Sequence, residues 1–212
     1  MIILFDLDGT LIDSTDAILE SFHHTFDAHD FPHAKDENIK ALIGYPLDVM
    51  FSELEVDEEK VWSFVTTYKE HYREISTKKT YLLDFAAQAV ELASQFATLG
   101  IVTTKTGLYS RELMEHFKLM KHFEVLIGRE DVQNPKPHAE PILKAIELLN
   151  AEEKEVWMIG DTKLDLISAK NASVSSIGVL SGYDDLQTIK MHTNVIFNDA
   201  LEAVLYLQKR KI

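Results

Sequence analysis

The sequence predicts an α/β protein, a Rossmann-like parallel sheet core with a small all-helical domain inserted after its first strand. Six short apolar runs of strand length, rich in β-branched and aromatic residues, fall at 2–5, 98–102, 125–127, 156–159, 176–180 and 195–197. Between most of them apolar residues recur at helical spacing, the alternation expected of parallel strands joined by crossover helices. The alternation breaks once: residues 15–80 carry helical periodicity and no strand-like run. The chain therefore divides into a core of 1–14 with 81–212 and a helical domain of 15–80.

In chain order, the first strand runs into Asp6-Leu7-Asp8-Gly9-Thr10. The insertion follows, with apolar stripes at Leu19, Phe22 and Phe26, then Ile39, Leu42 and Ile43, then Val61, Phe64, Val65, Tyr68, Tyr72 and Ile75. The second strand ends in Thr103-Thr104-Lys105, and Leu113, Met114 and Phe117 mark the helix after it. Beyond the third strand lies Asn134-Pro135-Lys136-Pro137, then a helix carrying Ile142, Ala145, Ile146 and Leu149. The fourth strand ends in Gly160-Asp161-Thr162-Lys163-Leu164-Asp165.

Composition narrows the function. The 212 residues are 46% hydrophobic and 26% charged, enough for a substantial core and unlike a disordered or collagenous chain. The chain has no Cys, which excludes disulfide frameworks, thiol nucleophiles and Cys-based metal modules and fits a reducing cytoplasm. No signal peptide is expected, because Asp6 interrupts the first apolar run, and the longest charge-free stretches, thirteen residues each, are too short to span a membrane. A net charge of −14 disfavours nucleic acid, so an anionic partner should be a small metabolite met by local positive charge. The insertion, with fourteen acids against seven bases, reads as a solvated acidic face that also disfavours bulky polyanions.

Functional groups of an open parallel sheet gather at the carboxyl ends of its strands. Residues two apart on an extended chain project to one side, so Asp6 and Asp8 can address a single reacting group, and Gly9 permits a sharp turn after them. Asp161 and Asp165, four apart, stack on one face of a helix beginning there. Carboxylates converging at one edge repel one another, and the usual relief is a hard divalent cation, with magnesium the natural candidate. Pro135 and Pro137 constrain the backbone around Lys136, which supplies the positive charge that a phosphoryl group and these acids need.

With these residues in order, the sequence resembles the haloacid dehalogenase-like hydrolase superfamily along nearly its whole length. Asp6-Leu7-Asp8-Gly9-Thr10-Leu11 is similar to its first motif, Thr103 to its second, Lys136 to its third, and Gly160-Asp161 with Asp165 to its fourth. The insertion resembles the small helical cap of the phosphoglycolate phosphatase-like branch, whose Ile-Gly-x-Pro-Leu feature is echoed by Ile43-Gly44-Tyr45-Pro46-Leu47. Thr104 stands where relatives often carry Asn, and Ala139 where a second Pro is common.

The resemblance implies a magnesium-dependent phosphatase acting on a small phosphomonoester. Asp6 would be the nucleophile that forms an aspartyl-phosphate, and Asp8 the acid and base. Thr103 and Lys136 would hold the transferring oxygens. Asp6, the backbone carbonyl of Asp8, and Asp161 would hold the metal, with Asp165 in support. An acid at position 8 argues against carbon–halogen chemistry. A phosphoglycolate-like substrate is favoured by the branch; pyrophosphate is the neighbouring reading, because pyrophosphatases of this group are similar in the Val102 to Lys105 run, and nucleotide monophosphates stay open. A sugar phosphomutase and a non-catalytic binding protein rank lower. Cap closure is expected to bend near 14–16 and 78–83, bringing Tyr45 to the leaving group.

Other residues read as structure. His23, His24, His29 and His33 are expected at a polar surface or cap interface, because adjacent histidines diverge on a helix and Pro32 interrupts the last pair. Trp62 and Trp157 are expected to pack in the core.

Overall fold

The structure, a computed structural model, describes residues 1–150 and 155–210; 151–154 and 211–212, which the sequence assigns to the core, lie outside the described residues. The chain divides into two compact units, Met1–Asp13 with Leu82–Ile212, and Ser14–Tyr81.

Among the described residues the strands in chain order are β1 (Ile2–Phe5), β2 (Ile12–Asp13), β3 (Tyr81–Leu82), β4 (Thr98–Val102), β5 (Phe123–Ile127), β6 (Val156–Gly160), β7 (Ser175–Val179) and β8 (Ile196–Phe197). Six of them build one parallel sheet in the order β5-β4-β1-β6-β7-β8, with Ile2 opposite Thr98 on one side and Val156 on the other. All six expected strands are present, with ends shifted by up to two residues. The two-stranded sheet of β2 and β3 is not foreseen from the sequence, since a two-residue strand leaves no periodicity to read.

Period-two alternation divides β1 between the two faces of the sheet. Ile3 and Phe5, with Leu7 beyond them, pack with Trp157, Ile159, Ile177 and Val179. Helices α5 (Ala86–Ala93), α6 (Gly107–His116) and α10 (Ala200–Arg210) cover that face through Val90, Leu113 and Val204. Ile2 and Leu4 turn the other way, toward Val125, Ile127 and Met158, under α7 (Glu140–Leu148) and α8 (Lys163–Asn171). Burial on both faces explains why these strands read as continuous apolar runs.

The Ser14–Tyr81 unit holds α1 (Thr15–Ala28), α2 (Asp36–Lys40), α3 (Leu47–Glu53) and α4 (Val61–Lys79). Phe22 and Phe26, four apart on α1, both meet Phe51 of α3, which in turn meets Phe64 of α4; Phe22 lies 4.7 Å from Phe51 and 5.0 Å from Tyr68 of α4 between ring centroids. Ser21 and Thr25, also buried on α1, give their hydroxyls to the carbonyls of Ala17 and Ser21, so small side chains enter the packing without an unsatisfied donor.

One expectation fails here. Trp62 is 64% exposed, while Trp157 is buried. At about 100° per residue, position 62 rotates off the stripe that Val61, Val65 and Tyr68 bury. The histidines find partners within this unit. His23 Nδ1 lies 3.0 Å from His33 Nδ1, their Nε2 atoms reach Asp36 and Asp27, His24 stacks on His71, and His29 stacks on Phe64.

Candidate active site

The strand order reverses at β1, which is flanked by β4 and β6, and such a switch point opens a crevice at the carboxyl ends of the strands. Asp6 stands there: its N–H donates to the Ile159 carbonyl at 3.0 Å, extending the parallel ladder by one residue. The Leu7 carbonyl then accepts from the N–H groups of Thr10, Leu11 and Ile12, closing a turn that leaves Leu7 in the core and Asp6 and Asp8 on the opposite side.

Asp6, Asp161 and Asp165, all buried, bring one carboxylate oxygen each within 4.8 Å of one another. Lys136 sits among them, 2.9 Å from Asp6 Oδ1 and in a short hydrogen bond with Asp165 Oδ1. Its contact with Asp6 is an ion pair without a well-directed hydrogen bond, so the buried Asp6 Oδ1 keeps unspent acceptor capacity. The Lys136 loop is pinned to α8, where Ser168 donates to the His138 carbonyl at 2.7 Å and Asn171 to the Pro137 carbonyl at 2.9 Å. Glu140 braces the other side through the N–H groups of Gln133 and Asn134.

The acids differ in what their oxygens do. Asp165 Oδ2 accepts from the Thr162 N–H at 3.0 Å and hydroxyl at 2.7 Å, while Oδ1 takes Lys136, so both its oxygens are engaged. Asp161 accepts one bond per oxygen, from the Thr10 hydroxyl at 2.8 Å and the Tyr183 N–H at 2.9 Å. Two glycines make room for it: a Cβ on Gly9, at φ 82°, would stand 2.2 Å from Asp161 Oδ2, and one on Gly182 1.9 Å from the same atom.

Burial pushes the Asp6 carboxyl up to about 7; Lys136 opposes the rise, while Asp165 and Asp8 add to it. Burial, then Asp165 and Asp6, hold Asp161 well above the ordinary carboxylate range. Burial works against charge on Lys136, yet Asp165 and Asp6 outweigh it and keep the ammonium protonated. The folded chain therefore binds protons on Asp6 more readily than the unfolded chain does, and this contribution to stability is lost as pH rises from about 4 through about 7. In chelated buffer, Asp6→Asn should accordingly gain in Tm relative to wild type as pH rises over that window. A difference that stays flat or narrows in thermal melts contradicts the raised value.

Asp8 does not join the carboxylate trio; its Oδ2 pairs with Lys105 Nζ at 3.0 Å. Thr103 is buried just past the end of β4, its N–H on the Ile127 carbonyl at 3.0 Å and its hydroxyl oxygen accepting the Lys105 N–H at 3.2 Å. Thr104 is half-buried at the same strand end. Tyr45 belongs to the helical unit, half-buried in the turn that Gly44, at φ 107°, makes ahead of α3.

Comparison with known proteins gives the family. A family model described as haloacid dehalogenase-like hydrolase matches residues 3–179. The chain belongs to that family. Among relatives of this hydrolase, a pyrophosphatase PpaX of Bacillus cereus is 35% identical over 181 residues, covering 84% of this chain and 82% of its own. A solved haloacid dehalogenase-like hydrolase from Bacteroides fragilis superimposes with a TM-score of 0.89 at 30% identity, over 95% of this chain and 98% of its own. The fold is shared as well by a protein described as a predicted phosphoglycolate phosphatase from Haemophilus somnus, with a TM-score of 0.88 at 23% identity over 98% and 97%.

Sequence reasoning misses three features of the hydrolase's site. Lys105 reads as part of a run, without a partner; its spacing of two from Thr103 is the available signal. Thr10 reads as part of the motif, without its bond to Asp161. The loop after β7 carries no sequence reading at all, although Ser181 donates to the Gly9 carbonyl at 2.8 Å and Tyr183 to Asp161; its position at a strand's carboxyl end is the signal that could have found it.

Proposed function

We propose that this hydrolase is a magnesium-dependent phosphatase that hydrolyses a small phosphate substrate through an aspartyl-phosphate on Asp6. The observation that carries the reading is the buried Asp6, Asp161 and Asp165 cluster around Lys136, with Asp8 two residues from the nucleophile. The donors suit magnesium: all are hard carboxylate oxygens, and Asp6 Oδ1 retains acceptor capacity. Asp6, the main-chain carbonyl of Asp8, and Asp161 would hold the ion, which supplies positive charge beside the phosphoryl oxygens when bound.

Asp6 attacks phosphorus, and Asp8 donates its proton to the departing oxygen. Asp8 then takes the proton of the water that cleaves the aspartyl-phosphate. Lys136 and Thr103 hold the phosphoryl oxygens, with Thr104 beside them, because stabilising spread charge is most of the catalysis in such a transfer. The 15–80 region is assigned the role of a cap that chooses the substrate, with Tyr45 as its contact. The phosphomonoester expected from the branch shares this chemistry with pyrophosphate, and pyrophosphate gains support from the name of the Bacillus cereus relative.

The division between a direct ligand and a supporting acid is testable. Asp165 is spent on the Lys136 ammonium and on two Thr162 donors, whereas each Asp161 oxygen takes a single neutral donor, so Asp161→Ala should weaken magnesium binding by more than about 100-fold and Asp165→Ala by about 10-fold. Calorimetric titration reads both variants. Equal magnesium affinity in wild type and Asp161→Ala would overturn the assignment, and absence of turnover across a panel of phosphate esters and pyrophosphate with magnesium would overturn the function.

A further inference from the structure

Lys105 is fixed before its side chain begins. Its N–H donates to Thr103 Oγ1 at 3.2 Å, and its carbonyl accepts the Arg129 N–H at 3.0 Å, so the backbone is held on both sides at the end of β4. The ammonium is delivered to Asp8 Oδ2 at 3.0 Å, where the lysine side chain is 9% exposed and the aspartate side chain 12%. The site thus carries two ammonium groups at different ends: Lys136 against Asp6 and Asp165, and Lys105 against Asp8.

We propose that Lys105 is a specificity-determining residue that favours an anionic leaving group, so that the substrate class is a phosphoanhydride of the pyrophosphate type rather than the ester of a neutral alcohol. The proposal rests on the phosphatase reading, in which Asp8 meets the leaving oxygen. An oxygen hydrogen-bonded to Asp8 Oδ2 lies within about 6 Å of Lys105 Nζ, and one on Oδ1 within about 8 Å, since two contacts of about 3 Å and the width of the carboxylate join them. A neutral alcohol places one oxygen there and no charge. A departing phosphate places several charged oxygens within reach of an ammonium that bulk solvent barely screens. What the exchange needs is a positive charge on a stem long enough to shift from Asp8 toward substrate, which lysine supplies.

The reaction balances with water alone. Asp6 forms a bond to the terminal phosphorus while the bridging P–O bond breaks, its electron pair staying on the leaving phosphate, which takes the proton from Asp8. Water then attacks the aspartyl-phosphate, Asp8 recovers a proton, and the Asp6 carboxylate leaves phosphorus. One water enters and two phosphates depart.

The test compares pyrophosphate with methyl phosphate, which transfers the same group from a neutral leaving group. In wild type, Lys105→Met and Lys105→Arg, kcat/KM is measured for both with magnesium, after thermal melts establish folding. Lys105→Met should lose at least about 30-fold more on pyrophosphate than on methyl phosphate, and Lys105→Arg should keep the ratio within about threefold of wild type. Equal losses on the two substrates, or a Lys105→Arg ratio as low as that of Lys105→Met, overturn the proposal and leave Lys105 acting through Asp8 alone. Titration of pyrophosphate with magnesium onto Asp6→Asn and onto Asp6→Asn with Lys105→Met gives a second readout, with affinity expected to fall about tenfold. Unchanged affinity overturns the proposal even without turnover, whereas a wild type inert on every phosphate overturns the phosphatase reading instead.

Discussion

Asp6→Asn should abolish multiple turnover, lowering kcat by at least about four orders of magnitude while the chain stays folded. The amide is nearly the size of the carboxylate and keeps an oxygen beside Lys136, but it is a poor nucleophile toward phosphorus. The fold should survive because Asp6 contributes one buried charge to a group in which Asp165 remains paired with Lys136. The measurement is phosphate release at saturating magnesium, with the variant's mass checked for deamidation, since conversion of even a small fraction of the protein back to Asp would mimic residual activity. Sustained turnover by the undeamidated Asp6→Asn variant would remove the covalent step from the mechanism.

The second large effect belongs to Lys136, which pairs with both Asp6 and Asp165 from a buried position. Lys136→Met fills the space but leaves clustered carboxylates without their ammonium, and breaking a buried pair in this way costs about 3–5 kcal/mol. Activity should fall about 100- to 1,000-fold, and by a similar factor on every phosphate substrate, because the lost contact is to the group they share. Tyr45→Ala supplies the contrast: it should change the ranking of substrates on the same panel while sparing the common chemistry. Comparing kcat/KM ratios for the two folded variants decides the matter. A Tyr45→Ala profile parallel to wild type, set against selective losses in Lys136→Met, would reverse the division between a choosing cap and a catalytic core.

Legibility differs between the two parts of the site. The acids after β1 and β6 can be found because each stands at the end of an apolar run, and strand ends in a parallel sheet face one edge. Lys136 can be found because Pro135 and Pro137 constrain its neighbours in the chain. Its actual anchorage is not legible: Ser168 and Asn171 reach the loop from a helix some thirty residues on. The short helix α3 is likewise absent from the sequence pattern, since its seven residues after Pro46 carry too few turns to establish a period.

The sequence by itself determined the α/β class, the six-stranded sheet and the edge at which the acids and lysines meet. These follow from side-chain periodicity and from Gly and Pro constraints, which act between residues close in the chain. Only the tertiary structure decided which groups touch. Thr10 bonds to Asp161 across 151 positions, Ser181 reaches Gly9 across 172, Lys105 finds Asp8, and Gly182 clears space for a carboxylate 21 residues before it. Packing also turned Trp62 to solvent and joined His23 to His33. Such contacts depend on where whole elements stack and how each helix is rotated, and a local pattern sets the face of an element without setting the neighbour that face will meet.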